Sequence, residues 1–309
     1  MNVSLIILFY TRKVTHLYFL LRKIYMKQRK SSPIEILVTI DQNYLKPLEV
    51  MMYSVRLNNL DQDFRVWLIH DNIDDSALTG LEKFCEQINV KLETVAMNQN
   101  ITFPDSLLNL HDYPKEMYFR LLSGQVLPDN LHRVIYLDPD ILVINSIKPL
   151  WDLDLQNKMF AASVHEGLTD IMSSINNIRL GTTTGYFNSG IMLMDLDLMR
   201  HKVNIEDITQ AIEEHHDSLI LPDQDILNYL YGEDILKIPE TRWNYDARAY
   251  SVYLTRSTGE YNTEWVMENT SILHFCGKPK PWQKEKHSRF KALYLNYQQM
   301  TNRVLNKIN

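Results

Sequence analysis

The chain has 309 residues, of which 45% are hydrophobic and 23% charged. This composition is typical of a folded globular protein, and the length suits one large α/β domain with an appendage. The whole chain carries −6, but residues 1–30 contain seven Lys or Arg and no acid, so the remainder carries −13, which argues against a nucleic-acid partner. Cys85 and Cys276 are far apart and lack C-x-x-C spacing, which argues against a disulfide framework or structural zinc and favours a reduced, cytoplasmic protein.

Residues 1–30 form a basic and apolar N-terminal extension. The apolar run 3–10 is too short to cross a bilayer, and no small-residue cleavage site follows it. Apolar residues then recur at helical spacing through 14–25 with basic residues between them, which predicts a helix on a membrane surface. The alternative is a non-native extension upstream of a start at Met26.

From residue 34 onward, strand and helix patterns alternate. The predicted elements are strand 34–40, helix 44–60, strand 64–71, helix 74–89, strand 90–97, helix 116–128 and strand 133–138. Such alternation predicts an α/β fold with a mostly parallel central sheet flanked by helices, and ligands bind such sheets at the carboxyl ends of the strands. No G-x-G-x-x-G follows the first strand and the chain has no P-loop, so a dinucleotide-binding or P-loop site is not expected.

The second half of the chain is less regular. Its predicted elements are strands 159–164, 187–195, 234–239 and 271–276, helices 205–216 and 224–232, and a final helix over 290–304. We therefore expect one main domain over 31–284 and a basic amphipathic helix within 285–309. With Trp282, Tyr294 and Tyr297, that helix either lies on an anionic membrane or docks on the domain with a solvated basic face.

Two carboxylates, Asp138 and Asp140, follow the apolar residues of the fourth strand at its carboxyl end, in the sequence YLDPD. Such a pair needs a positive partner, and a hard divalent cation such as Mg²⁺ or Mn²⁺ takes its oxygens while leaving positions for phosphates. One alternative is a plain turn with a capping aspartate. Another is a haloacid-dehalogenase-type phosphatase, although its D-x-D motif usually opens the chain and continues with Thr or Val where Leu142 stands.

A second informative segment is HFCGKPKPW, residues 274–282. It follows an apolar strand and combines His274, Gly277, Lys278 and Lys280. An imidazole can bind a metal, glycine permits close approach of the backbone, and lysine supplies a point charge. The segment therefore predicts a diphosphate pocket.

Four motifs in this order, YLDPDILV, YFNSGIMLMD, LPDQDILN and HFCGKPKPW, resemble those of glycosyltransferase family 8, the retaining family of the bacterial lipopolysaccharide α-galactosyltransferases and glycogenin. The resemblance runs from about residue 34 to about residue 285. It implies a GT-A fold, UDP-glucose or UDP-galactose as donor, and a Mn²⁺ ion, with Mg²⁺ as the alternative.

The resemblance also implies roles for residues. Transferred by position, the metal ligands are Asp138, Asp140 and His274. The nucleotide-binding residues are Thr39, Asp41, Asn43, Tyr44, Asp138, Asp140, Gly277 and Lys280. The donor-sugar residues are Arg120, Asn188, Asp223 and Gln224, of which Asp223 and Gln224 form the catalytic pair. Where some relatives place a sugar-binding aspartate, this chain has His165 and Glu166, so the sugar preference does not transfer.

Three of these residues have simpler interpretations. Asn188 could satisfy backbone groups in a tight turn, Asp223 could cap a helix, and Arg120 could pair with Glu116 on a helix surface.

The leading hypothesis is a metal-dependent retaining hexosyltransferase that acts on a glycan or glycolipid acceptor, either in the cytoplasm or peripherally on the inner face of the cell membrane. An amide is a poor nucleophile, so Gln224 favours front-face attack by the acceptor over a covalent intermediate, with Asp223 holding the sugar and the leaving phosphate taking the proton. The alternatives are a metal-dependent phosphohydrolase and a non-catalytic UDP-sugar-binding protein associated with a membrane.

Overall fold

A computed structural model describes residues 32–97, 116–164, 176–215, 218–283 and 289–307. The predicted N-terminal extension, together with His165 and Glu166, lies outside these residues. The strands are β1 Ile34–Thr39, β2 Phe64–His70, β3 Val90–Ala96, β4 Arg133–Leu137, β5 Ile141–Val143, β6 Phe160–Val164, β7 Phe187–Asp195, β8 Ile235–Lys237, β9 Tyr245–Asp246 and β10 Ile272–His274.

Helices of very different lengths connect these strands. They are α1 Leu45–Leu57, α2 Asp75–Gln87, α3 Glu116–Phe119, α4 Ser123–Val126, α5 Lys148–Trp151, α6 Leu196–Lys202, α7 Ile205–His215, α8 Pro222–Tyr231, α9 Glu240–Trp243, α10 Tyr250–Arg256, α11 Thr263–Asn269 and α12 Lys291–Leu305. None of the helices in the described ranges is long and apolar enough to cross a membrane.

The central sheet has seven strands in the order β3-β2-β1-β4-β7-β6-β8. The neighbours β3, β2, β1 and β4 are parallel, as are β6 and β8, whereas β7 is antiparallel to both β4 and β6. Every residue of β1 is buried, and its side chains alternate between the two faces, with Ile36 and Val38 in one core cluster and Leu37 in the other. The predicted mostly parallel sheet is confirmed.

The predicted single helix over 116–128 is wrong. The chain forms two short helices, α3 and α4, separated by a turn at 120–122 in which the Ser123 hydroxyl donates to the Arg120 carbonyl at 2.9 Å. All residues from 118 to 124 are buried, so the segment passes through the core instead of lying on it with one apolar face. A pattern that is apolar on all sides does not distinguish a continuous helix from a broken one.

A second, three-stranded sheet of order β5-β10-β9 was not predicted. Its strands have only two or three residues, too few for a recognisable alternation. In this sheet β10 pairs antiparallel with β5, so His274 lies opposite Ile141, and the Phe275 amide donates to the Asp140 carbonyl at 3.0 Å. The small sheet therefore places the histidine beside the carboxylates although more than 130 residues separate them.

The C-terminal helix α12 packs against the domain through its apolar face. Tyr294 is 1% exposed, and Tyr297 is buried with its hydroxyl accepting a hydrogen bond of 2.8 Å from Asn58 at the end of α1. Both tyrosines belong to a third core cluster, which also contains residues of β5, β9 and β10. Arg303 and Lys307 remain exposed. Tyr294 and Tyr297, which were considered for a membrane surface, are thus core residues, and Trp282 is half-buried against the same cluster.

Candidate active site

The carboxyl ends of β1 and β4 open into a cavity of about 620 Å³. Twelve of the thirteen predicted site residues line it, namely Thr39, Asp41, Tyr44, Arg120, Asp138, Asp140, Asn188, Asp223, Gln224, His274, Gly277 and Lys280. Asn43 lies outside this lining, as the described residues define it. It is exposed, and its backbone and side-chain N–H groups donate to the Asp41 carboxylate at 2.8 and 3.3 Å.

Asp138, Asp140 and His274 converge at the floor of the cavity. One ligand atom from each lies within 4.8 Å of the others, and His274 Nε2 is 3.4 Å from Asp140 Oδ1 and 3.9 Å from Asp138 Oδ2. Two ligands that share one small divalent ion, each at roughly 2.1 Å, can be no more than about 4.2 Å apart. The two imidazole–carboxylate separations and a donor set of two carboxylates and one imidazole therefore fit Mn²⁺ or Mg²⁺.

Asp140 is held by cations. The Lys280 ammonium contacts its Oδ2 and also donates to the Phe275 carbonyl at 3.1 Å. Burial alone would raise the pKa of Asp140, but His274 and Lys280 outweigh it and hold this pKa well below its usual range. Asp140 is therefore ionised at neutral pH, as a metal ligand must be.

Asp138 is held from the opposite side by Arg120 and Tyr136. The Tyr136 hydroxyl donates to Asp138 Oδ1 at 2.7 Å, and Arg120 Nη1 lies 3.3 Å from the same oxygen. The guanidinium also stacks over the Tyr136 ring at 4.3 Å from its centroid. Arg120 is 5% exposed, so it does not lie on a helix surface as the simpler interpretation required.

Arg120 also connects the metal ligands to the predicted catalytic pair. Its Nη1 lies 3.4 Å from Asp223 Oδ2 and donates to the Ser189 carbonyl at 3.0 Å, while the Ser189 hydroxyl donates to Asp223 at 3.1 Å. Burial raises the pKa of Asp223, although Arg120 opposes the shift. Asp223 lies in the first turn of α8, where Leu221 is the N-cap, so capping is not its role.

The amides of Asn188, Gln224 and Asn244 form a hydrogen-bonded group beside these charges. Gln224 Oε1 accepts from Asn188 Nδ2 at 2.9 Å and from the Ser189 amide at 3.3 Å. Asn188 Oδ1 accepts from the Gly190 amide at 3.0 Å and from Asn244 Nδ2 at 2.7 Å. Asn188 thus satisfies a backbone group in the turn and also contacts the site.

Apart from Asn43, the residues predicted for the nucleotide line the same cavity. Thr39 Oγ1 is 3.2 Å from the Tyr136 hydroxyl, and Asp41 caps a short 3₁₀ turn that leads to Tyr44. Gly277 has φ +66°, and a Cβ there would lie 2.5 Å from Arg248 Nη1. A backbone that only glycine adopts readily therefore forms this wall.

Four residues around the site were missed by sequence reasoning: Tyr136, Ser189, Asn244 and Arg248. Tyr136 had a usable signal, because a residue two positions before Asp138 on a strand shares its face. Asn244 and Arg248 had none: one bonds His274, 30 positions away, and the other forms a bidentate ion pair with Asp246 at 2.7–3.2 Å.

Comparison with solved structures defines the class. The chain superimposes on the galactosyltransferase LgtC in complex with donor and acceptor sugar analogues with a TM-score of 0.70, at 23% identity and over 86% of this chain and 96% of that one. The glycosyltransferase GlyE of Streptococcus pneumoniae TIGR4 gives 0.65, at 18% identity and over 90% and 63%. The fold is the GT-A fold of glycosyltransferases.

The sequence comparisons then give the family. The model of glycosyl transferase family 8 matches residues 35–286, and the chain belongs to that family. General stress protein A of Bacillus subtilis (strain 168) is 31% identical over 281 residues, 88% of this chain and 96% of its own. The lipopolysaccharide 1,2-glucosyltransferase of Escherichia coli (strain K12) is 26% identical over 82% of this chain and 74% of its own. The protein is a glycosyltransferase, and the phosphatase alternative is set aside.

Proposed function

We propose that this glycosyltransferase moves a hexose, glucose or galactose, from a UDP-sugar to a glycan or glycolipid acceptor, with metal dependence and retention of configuration. The observation that carries the proposal is the convergence of Asp138, Asp140 and His274 next to Lys280 and Gly277 in one cavity. A metal-bound diphosphate needs this combination of hard ligands, a cation and an accessible backbone.

The nucleotide part of the donor contacts Thr39, Asp41 and Tyr44, and the diphosphate lies between the carboxylates and Gly277. Mn²⁺ held by Asp138, Asp140 and His274 supplies Lewis-acid stabilisation of the leaving diphosphate when it is bound. Lys280 adds a second positive charge on the same side and stabilises the UDP that leaves.

The sugar is positioned by Arg120, Asn188 and Asp223. Arg120 keeps Asp223 and Asp138 compensated in a buried site, and Asp223 accepts hydrogen bonds from sugar hydroxyls. Gln224 Oε1 is fixed by two N–H donors and stabilises the positive charge that develops at the anomeric carbon.

Transfer then follows a front-face course. The bond between the anomeric carbon and the UDP oxygen breaks, the acceptor hydroxyl oxygen bonds to the same face, and its proton passes to the departing phosphate oxygen. Gln224 is an amide and so is not a competent nucleophile, which favours this course over a covalent intermediate. A glycosyl adduct on Asp223 or Gln224, trapped and detected by mass spectrometry, would contradict it.

The acceptor class is inferred from relatives, since one of them is a lipopolysaccharide glucosyltransferase. We place the enzyme in the cytoplasm or at the inner face of the cell membrane. A membrane contact in this proposal rests on exposed basic side chains such as Arg303 and Lys307, because Tyr294 and Tyr297 are in the core. Salt-sensitive sedimentation with anionic vesicles would support the contact, and no binding at low salt would remove it.

The test is release of UDP from a panel of UDP-sugars in the presence of Mn²⁺. UDP-glucose or UDP-galactose should be turned over, and EDTA or Asp140→Ala should abolish the release. Asp129→Asn, which removes a fully exposed carboxylate, is the matched control and should retain it. Release that ignores EDTA and Asp140→Ala, or liberation of inorganic phosphate in place of UDP, would reject the proposal. Binding without turnover of any sugar would favour the non-catalytic alternative.

A further inference from the structure

The buried amide of Asn244 lies between the proposed metal site and the proposed sugar site. Its side chain is fully buried; its Oδ1 is 2.8 Å from His274 Nδ1 and its Nδ2 donates to Asn188 Oδ1 at 2.7 Å. Asn188 in turn donates to Gln224. One chain of hydrogen bonds thus joins a proposed metal ligand to a proposed catalytic residue.

The direction of this chain follows from a backbone group. Side-chain amide oxygen and nitrogen atoms are assigned from their partners, but a backbone N–H can only donate. The Gly190 N–H points at Asn188 at 3.0 Å, so the atom it meets must be the oxygen. Asn188 Oδ1 therefore requires a donor from Asn244, and Asn244 can turn only its Nδ2 towards it.

The same reasoning extends to the imidazole. With Nδ2 of Asn244 committed to Asn188, its Oδ1 faces His274 Nδ1, and an oxygen acceptor requires that Nδ1 carry the proton. In neutral His274 the lone pair is then on Nε2, the atom 3.4 and 3.9 Å from the two carboxylates. The opposite tautomer would place two acceptors 2.8 Å apart in a buried site.

A second backbone group fixes the other end of the chain. The Ser189 N–H points at Gln224 Oε1 at 3.3 Å, and Asn188 Nδ2 donates to the same oxygen at 2.9 Å. If Asn244 no longer donated to Asn188, the Gly190 N–H would be the one donor to Asn188 Oδ1 that remains among the described residues, and the Asn188 amide that gives Gln224 Oε1 its shorter hydrogen bond would be held less firmly. Asn244 thus acts on both sites.

From this geometry we infer that Asn244 is a positioning residue that fixes His274 in the Nδ1–H form, so that Nε2 is available to the metal, and that orients Gln224 through Asn188. The inference rests on the proposed function for the identity of the ion and of the reacting sugar, but the hydrogen-bond directions do not depend on it. Partners of this kind on metal-ligating histidines typically change metal affinity 10–100-fold when removed.

Two substitutions separate the two roles. Asn244→Leu is nearly isosteric and removes both hydrogen bonds, so Mn²⁺ affinity measured calorimetrically with UDP present should fall about 10–100-fold. Asn244→Asp keeps the acceptor for His274 but cannot donate to Asn188. It should bind Mn²⁺ within about threefold of the wild type or more tightly, yet lose at least about tenfold in kcat, in line with the effect of a displaced electrostatic group.

The control for a merely structural effect is Asn59→Leu. Asn59 is also a buried amide with both ends bonded, to the Val55 carbonyl and the Ile147 amide, and it does not line the cavity. It should lower the free energy of unfolding but leave Mn²⁺ affinity unchanged. Equal losses of Mn²⁺ affinity in Asn59→Leu and Asn244→Leu would overturn the inference.

A spectroscopic measurement tests the proton position directly. In ¹⁵N-histidine-labelled protein loaded with diamagnetic Mg²⁺ and UDP, the resonance that disappears in His274→Gln should show a proton on Nδ1. A proton found on Nε2 instead, or a more than tenfold loss of Mn²⁺ affinity in Asn244→Asp, would overturn the inference, even if Asn244→Leu does not fold. If Asn244→Leu loses metal affinity but the wild type turns over no UDP-sugar, the inferred role of Asn244 at the metal site stands and the proposed function is rejected.

Discussion

Gly190 is the position at which a single added methyl group should disable the site without replacing a metal ligand. It lies on β7 directly behind the carboxylate and imidazole cluster. A Cβ at this position would be 2.5 Å from His274 Cε1 and 2.6 Å from Asp138 Oδ2. Its backbone is not in the left-handed region, so Gly190→Ala causes no backbone strain and tests only the lack of room for a methyl group beside His274 and Asp138.

The size of the effect follows from these distances. Ordinary contact begins at 3.4 Å, so the ring and the carboxylate would each have to move by nearly 1 Å. Neither moves freely, because His274 is bonded to Asn244 and Asp138 to Tyr136. Metal–ligand distances tolerate about 0.2 Å. We expect a loss of Mn²⁺ affinity of about 10–100-fold, or about 1.4–2.8 kcal/mol, together with an overpacking cost of about 1–3 kcal/mol in stability.

The assay is calorimetric titration of Mn²⁺ into the UDP-saturated protein, with urea unfolding measured in parallel. Gly80→Ala is the control, since a Cβ at Gly80 meets nothing within 4 Å and that residue is exposed on α2. It should leave the affinity unchanged and add about 0.5–1 kcal/mol of stability. A Gly190→Ala protein that folds and binds Mn²⁺ within twofold of the wild type would refute the assignment of the cluster as the metal site.

Three further predictions concern stability and the backbone at Gly277, which lines the proposed nucleotide site. Tyr294→Ala should lower the free energy of unfolding by about 3–5 kcal/mol and the exposed Leu295→Ala by less than about 0.5 kcal/mol, as measured by urea unfolding; equal effects would mean that α12 is not part of the core. Burial raises the pKa of Asp223, so its ionisation opposes folding and stability is lost as the pH rises through the folded-state pKa. Asp223→Asn should therefore be more stable than the wild type at pH 7, with the gain shrinking as the pH is lowered towards about 3.9, and a gain independent of pH would refute this. Gly277→Ala should lose about 1–2 kcal/mol of stability because φ is +66°, and bind UDP more weakly because its Cβ displaces Arg248; unchanged calorimetric UDP affinity would contradict this.

The sheet was predictable from the sequence because its strands are long enough to show a pattern. The apolar runs at β1, β2 and β4 are bounded by polar segments, and helices of 13 residues at α1 and α2 separate the first three strands. The antiparallel setting of β7 and the small sheet of β5, β9 and β10 were not predictable, since strand direction and two-residue pairings depend on contacts between distant segments. The break between α3 and α4 was likewise not predictable from the sequence.

The charged residues of the site were predictable from the sequence, but the residues that hydrogen-bond to them and hold them in place were not. Asp138, Asp140, His274 and Lys280 stand in motifs whose residue types are unusual after apolar strands. Asn244, by contrast, is an ordinary residue in an ordinary segment, and its role exists only because β9 pairs with β10. Supporting residues of this kind become visible only when the hydrogen bonds between distant segments are known.

The most direct test of the central claim is the configuration of the first sugar product. Proton NMR spectroscopy during turnover of UDP-glucose or UDP-galactose, whose anomeric linkage is α, records the configuration of the transferred sugar, and that of any free hexose before it mutarotates. The proposed site predicts an α product that forms with Mn²⁺ and is absent with EDTA or with Asp140→Ala. A β product, or an α product formed equally well without metal, would contradict the account.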